Sequence, residues 1–379
     1  MALTKEHVLE ALAKVPGPDG TPLTRTGTLS DVVVSDGKVF FSITVDAAEV
    51  QRWETVRQRA EAAVRAVPGV VSALVALTAE RKPGAAPAAA AARASPGGGA
   101  TAGARAAPGG GAGQIGVPGV EAIIAVASGK GGVGKSTTAV NLALGLAALG
   151  LKVGILDADI YGPSLPKLLA IKERPQTLGG TRLKPISRYG LTVMSIGFLI
   201  DEETPMIWRG PMVISALTQM LREVEWGELD VMVVDMPPGT GDAQLTMAQQ
   251  VPLKGAVIVS TPQDLALIDA RRGIAMFRRV NVPVLGIVEN MSYFQCPQCG
   301  TRSDIFGHGG ARHEAERLGV PFLGEVPLHM TIREKSDLGL PVVATEPDGE
   351  HAAIYRGIAG KVRDQLKGGG RTAPKIVIE

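Results

Sequence analysis

The densest chemistry in the chain lies in Ser128-Gly129-Lys130-Gly131-Gly132-Val133-Gly134-Lys135-Ser136-Thr137. The run satisfies G-x-x-x-x-G-K-[S/T] and stands between an apolar stretch, 122–127, and a helical pattern that opens at Lys135. Glycines at 129, 131, 132 and 134 let successive backbone N–H groups, that of Val133 included, face one concavity suited to phosphate oxygens. The helix start adds the positive end of its dipole. In such a cradle Lys135 reaches the β- and γ-phosphates of ATP, Ser136 offers its hydroxyl to Mg²⁺, and Thr137 bonds the α-phosphate. Lys130 is a second lysine that the cradle does not need in cis; its ammonium can cross a subunit interface to charge on a partner's nucleotide.

Acids follow two later apolar runs. Asp157 and Asp159 come just past the strand pattern 152–156, where ligands bind in parallel α/β sheets. Two residues apart, they project to one side if the strand continues, so that one can hold a Mg²⁺ water and the other orient the attacking water. Asp235 ends the run 230–234 and fits the second-shell Mg²⁺ acid, with Gly239 and Gly241 behind it in a loop able to sense a γ-phosphate. At the base end, Asn290 suits recognition of adenine and Pro327 can pack on it; ordinary turn roles are nearly as good for both.

The chain has two cysteines, both in Cys296-Pro297-Gln298-Cys299. A C-x-x-C pair can be a redox dithiol, half a zinc site or half an iron–sulfur site. His308 and His313 follow without a ligand pattern. Two chains would supply four thiolates, so a twofold axis through this loop could hold one metal or one [4Fe–4S] cluster.

These residues need a scaffold. From residue 120 apolar strands at 122–127, 152–156, 191–196, 230–234, 255–260 and 284–288 alternate with helical patterns at 135–149, 211–223, 241–250 and 265–280. Unbroken apolar strands alternating with helices predict a doubly wound, mainly parallel sheet over 120–365, with a tail at 366–379. Residues 1–80 read as a small αββαβ domain: a helix near 3–15, strands at 29–34 and 39–45 joined by Ser35-Asp36-Gly37-Lys38, a helix at 47–67 and a strand at 70–77. Between them, 81–119 is Ala, Pro and Gly with scattered Arg, a composition that cannot offset chain entropy and reads as a disordered linker. As a coil it spans roughly 35 Å.

The totals agree. A length of 379 residues suggests two or three domains, and two cysteines exclude a disulfide scaffold. Lys and Arg number 39 against 37 Asp and Glu, a balance that speaks against nucleic acid or an anionic membrane as the main partner. No apolar run is long enough to span a bilayer and the N-terminus lacks a signal-peptide pattern, so a cytoplasmic location is expected.

The glycine-rich loop with Lys130 resembles the deviant Walker A of the ParA/MinD ATPases. Within that class, DADIYGPS (157–164), WRGP (208–211), DMPPGTGD (235–242), ENMSYF (289–294) and CPQC (296–299) resemble the Mrp/ApbC family of iron–sulfur cluster carriers over roughly 120–365. The first 80 residues are similar to the small iron–sulfur-assembly domain often fused to it, but Val45-Asp46-Ala47-Ala48-Glu49 lacks the cysteine that domain often carries, which points to docking or regulation. The resemblance implies a P-loop ATPase fold, and ATP binding and hydrolysis with Lys130 acting across a homodimer and Asp159 orienting water. It also implies a labile [4Fe–4S] cluster on Cys296 and Cys299 of two subunits, received from assembly scaffold proteins and delivered to apo-proteins. The alternatives are a ParA/MinD-type partitioning or positioning ATPase, against which the C-terminus offers no amphipathic helix, and an ATPase dimer bridged by zinc at the same cysteines.

Overall fold

The computed structural model describes residues 3–30, 32–35, 37–46, 49–80, 116–179, 182–199 and 210–368. The chain divides into two compact units, Met1–Gln114 and Ile115–Glu379. Most of the expected linker, 81–115, lies outside the described residues, as do Trp208, Arg209 and the tail from 369.

The first unit runs α1 (Lys5–Leu12), β1 (Val33–Ser35), β2 (Lys38–Asp46), α2 (Val50–Arg65) and β3 (Ser72–Glu80), the expected αββαβ order. β2 is central, antiparallel to β1 and parallel to β3. α2 places Trp53, Val56, Ala60 and Val64 at helical spacing against Phe41, Ile43 and Val75, all buried. Each large side chain removed from water in this way contributes about 1.5–3 kcal/mol. β1 is shorter than the pattern 29–34 suggests: Leu29 makes only an isolated bridge to Ile43.

The second unit begins before 120. Residues 116–119 form a turn with Val117 buried, and Leu229 donates its N–H to Gly119 O. It continues β4 (Val120–Ala127), α3 (Lys135–Ala148), β5 (Val153–Asp157), α4 (Leu165–Leu168), a hairpin of β6 (Gln176–Thr177) and β7 (Leu183–Lys184), β8 (Ile186–Arg188) and β9 (Leu191–Ser195). Then come α5 (Gly210–Arg222), β10 (Leu229–Asp235), α6 (Asp242–Gln250), β11 (Leu253–Ser260), α7 (Asp264–Arg279) and β12 (Val284–Gln295). The last elements are β13 (Arg302–Ser303), α8 (Gly310–Leu318), β14 (Phe322–Leu328), α9 (Met330–Leu338), α10 (Val342–Thr345) and α11 (Glu350–Gly368).

The main sheet has the order β14-β12-β11-β4-β10-β5-β9-β8, parallel except for β8, with β13 antiparallel to the far end of β12. This is the expected doubly wound architecture. Ile124, Ala125 and Val126 of β4 are fully buried because helices cover both faces of the sheet. α3 is buried along most of its length, with α11 packed beside it; a Cβ at Gly145 would lie only 2.9 Å from Ala359 Cβ. β4 sits centrally, and the loop leaving its C-terminal end opens into the crevice where such sheets bind ligands. Among the described residues no helix is long and apolar enough to cross a membrane.

Candidate nucleotide and thiolate sites

The loop between β4 and α3 turns through left-handed glycines, Gly132 at φ +82° and Gly134 at φ +79°, a conformation that favours residues without a Cβ. Ser128 ties the loop internally by donating from Oγ to Lys130 O at 2.9 Å, and its own carbonyl accepts the Gly239 N–H at 3.0 Å. The phosphate loop is thereby joined to the glycine loop after Asp235. A Cβ at Gly129 would collide with the backbone of Asp269 on α7. Lys130 is half-buried and its ammonium makes no ion pair among the described residues.

The sheet brings the acids together. Asp235 and Asp157 are register partners at the C-terminal ends of β10 and β5. Lys135 Nζ lies 2.5 Å from Asp235 Oδ1, 3.2 Å from Ser136 Oγ and 3.8 Å from Asp159 Oδ2. Asp235 and Asp159 therefore share one ammonium, with Asp157 buried beside Asp235. Burial raises the Asp157 carboxyl to about 7, reinforced by Asp235. Burial also raises Asp159 and Asp235, in both cases against the pull of Lys135.

The two acids of the 157–159 pair do different jobs. The strand ends at Asp157, so the same-side geometry expected from a continuing strand does not arise. The chain turns instead, and Asp159 donates its N–H to Asp157 Oδ1 at 3.2 Å. Asp157 Oδ2 accepts from Ser195 Oγ and the Ser164 N–H, each at 2.9 Å, and from the Leu165 N–H at 3.1 Å. Asp157 thus holds the 159–165 loop in place. Asp159 lines the cleft, a cavity of about 450 Å³ shared with Gly131, Gly132, Gly134, Lys135, Ser136, Thr137, Lys167, Pro238 and Asp337. The Asp235 Oδ2 atom is buried with no hydrogen-bond partner among the described residues. An orphaned carboxylate oxygen near a serine hydroxyl and a second carboxylate is a donor set that fits Mg²⁺.

Asn290 and Pro327 are not among the residues lining this cavity. Asn290 is buried on β12 and donates from Nδ2 to Val133 O at 2.8 Å, beneath the phosphate loop. Pro327 lies within β14 and is buried.

The cysteines sit on the hairpin from β12 to β13, pinned by the pairs Phe294↔Ser303 and Gln295↔Arg302. Cys296 N–H donates to Thr301 O at 2.9 Å, Gly300 N–H donates to Cys296 O at 2.8 Å, and Gly300 takes φ +71°. The tight loop leaves Cys299 exposed and Cys296 half-buried, both as free thiols. Hydrogen bonding to Thr301, then to Cys296, pulls the Cys299 thiol below its ordinary value. At the hairpin base the Arg302 guanidinium stacks 4.0 Å from the Tyr293 ring centroid. Glu289, His308 and Glu325 converge within 4.8 Å there, but Arg302 Nη2 lies 2.7 Å from His308 Nδ1 and Arg312 bonds Glu325 at 3.0 Å. Those guanidiniums already supply the positive charge.

Several contributors carry no motif. Ser195 meets Asp157 only because β5 and β9 pair in register. Gln244 on α6 donates from Nε2 to Pro237 O at 2.8 Å and so steadies the loop after Asp235. Both are long-range consequences of topology, with no local spacing to reveal them.

A parallel sheet with this strand order, a two-lysine phosphate loop and acids converging on the second lysine define a P-loop NTPase of the ParA/MinD fold. The model of that class described as "NUBPL iron-transfer P-loop NTPase" matches residues 119–363, and the chain belongs to this family. The first unit matches the model of an iron-sulfur cluster assembly protein over residues 5–75.

The iron-sulfur cluster transfer protein NUBPL of Dictyostelium discoideum is 54% identical over 256 residues, 67% of this chain and 79% of that protein. The iron-sulfur cluster carrier protein of Escherichia coli is 57% identical over 262 residues, 69% of this chain and 71% of that protein. A solved nucleotide-binding protein from Archaeoglobus fulgidus, in complex with ADP, is 41% identical with a TM-score of 0.54, covering 62% of this chain and 92% of that one. The family and fold expected from the motifs are thus borne out.

Proposed function

We propose that the protein binds and hydrolyses ATP and carries a labile [4Fe–4S] cluster, held by Cys296 and Cys299 of two copies of the chain and passed to apo-proteins. The observation that carries the reading is the pair of thiols, one exposed and one half-buried, on the hairpin that continues β12, a strand that also touches the phosphate loop. The chain has no other cysteine, so four thiolates require two chains. The names of the relatives, a cluster carrier and a cluster transfer protein, agree with cargo of this kind.

At the nucleotide, the loop amides and Lys135 bind phosphate oxygens once the lysine leaves Asp235. Ser136 and Asp235 are the residues that would hold Mg²⁺, which supplies positive charge to the β- and γ-phosphates. Asp159, the acid that lines the cleft, orients the attacking water. Lys130 is left to reach a partner's nucleotide across the dimer. The first unit serves docking or regulation.

Anaerobic reconstitution with iron and sulfide, followed by iron, sulfide and zinc determination, tests the reading. Charge-transfer absorbance and matching iron and sulfide are expected, and both should be lost in Cys296→Ser/Cys299→Ser. Zinc in place of iron would favour the structural bridge, and unchanged loading in the double variant would end the proposal.

A further inference from the structure

β12 touches the phosphate loop near its middle and runs into the cysteine hairpin at its end. Two neighbouring residues of the strand approach the loop. Asn290 Nδ2 bonds Val133 O at 2.8 Å, and Met291 Cε lies 3.7 Å from where a Cβ on Gly134 would stand. Met291 is also the irregular point of the strand. Its φ is +54°, in the left-handed region that side chains such as methionine seldom occupy. The pairing of β12 with β14 shifts register between Asn290 and Phe294, across the same residue.

Contacts on both sides hold this bulge. Ser292 Oγ donates to Glu289 Oε1 at 2.6 Å, and Glu289 in turn accepts the N–H groups of Gly309 at 3.2 Å and Ala311 at 2.6 Å. The Met291 side chain therefore ends close to Gly134 of the phosphate loop, while its backbone sets the direction in which β12 leaves toward Cys296. Strained positions of this kind persist only where their surroundings over-determine them, and a shift in one contact can release them.

We propose that Met291 is a positioning residue that couples the two sites: a nucleotide-driven shift of Val133 and Gly134 passes through the Met291 bulge and changes how Cys296 and Cys299 are presented. The proposal rests on reading the hairpin as the cargo site, but its test needs no metal, so the two ideas can fail separately. Glycine adopts the left-handed conformation freely and lacks the side chain that reaches toward the loop, so Met291→Gly should break the link.

The experiment uses the full-length, reduced, metal-free protein. Its two cysteines make every thiol signal a report on this hairpin. Their rate of reaction with DTNB is measured without nucleotide, with Mg-ADP and with a non-hydrolysable Mg-ATP analogue. Nucleotide affinity and sedimentation are recorded in the same buffers.

Wild type is expected to show at least about a fivefold difference in rate between the free and a nucleotide-bound state. Met291→Gly should still bind nucleotide, with the difference reduced to about twofold or less. Met291→Leu, which keeps a side chain reaching toward the loop, should respond like wild type. A wild-type rate indifferent to nucleotide overturns the proposal, as does a full response in Met291→Gly. So does a rate change that follows chain association and ignores residue 291. If Met291→Gly does not fold, Ser292→Ala frees the bulge from Glu289 instead, and a full response there overturns the proposal equally.

Discussion

The shared ammonium at the phosphate loop makes a demanding prediction in the absence of nucleotide. Lys135→Met keeps most of the side-chain volume but removes the charge that bonds Asp235 Oδ1. Asp235 is fully buried and its other oxygen lacks a partner among the described residues, so the variant leaves an uncompensated carboxylate. Breaking a buried pair from one side costs about 3–5 kcal/mol. Protonation sets a ceiling on that cost. From an ordinary carboxyl value of 3.8, neutralising Asp235 costs about 6 kcal/mol at pH 8 and about 2 kcal/mol at pH 5.

The sign follows. Burial raises the folded-state values of Asp235 and Asp157, and the lysine had opposed that rise. A raised folded value means that stability is fully present below 3.8 and is lost as pH climbs through the folded value, which is about 7 for Asp157. Lys135→Met should therefore fall furthest below wild type at pH 8, and the gap should close toward pH 5. At roughly 2–4 °C per kcal/mol, the melting temperature of the larger unit should drop by roughly 6–20 °C at pH 8 and by less than roughly 8 °C at pH 5. Calorimetry at low salt reads this directly. Adding Asp235→Asn should recover most of the loss at pH 8. A gap independent of pH, or no recovery in the double variant, would refute the electrostatic reasoning.

Three further outcomes are expected. Lys130→Ala should spare nucleotide binding and reduce turnover, because its ammonium pairs with nothing among the described residues; equal losses in titration calorimetry and phosphate release would remove its role across the dimer. Gly134→Ala forces a Cβ onto a φ of +79° and into the Asn290 amide, so stability in urea should fall by about 2 kcal/mol or more, with nucleotide binding weakened. In a Cys296→Ser background, the pH midpoint for alkylation of Cys299 should lie below that of an ordinary cysteine thiol, and Thr301→Val should raise it; an unchanged midpoint would show that Thr301 does not hold the thiolate.

The sheet was legible because its strands are apolar on both faces and its helices recur between them. The phosphate loop was legible because glycines and a lysine must follow one another in sequence to cradle a phosphate. What depended on distant pairing was not. The two-residue spacing of Asp157 and Asp159 predicted that both face one side of a continuing strand, yet the strand ends at Asp157, which is captured by Ser195 and by the loop it supports, a partnership created by strand order. Asn290 looked suited to adenine from its amide alone, and the structure puts that amide against Val133. β14 has a short apolar pattern broken by Gly324 and Pro327, too irregular to stand out as a strand until β12 pairs with it. The cysteine pair showed its chemistry in four residues, while the strained Met291 that leads to it is visible only in backbone torsions.

The central claim is that two chains share one cluster through Cys296 and Cys299. Native mass spectrometry of the anaerobically reconstituted protein tests it most directly. The account expects two chains with one [4Fe–4S] cluster, about two iron and two sulfide per chain, and no such species from Cys296→Ser/Cys299→Ser. A cluster on a single chain, a zinc-bridged pair, or a loaded pair from the cysteine-free variant would contradict it.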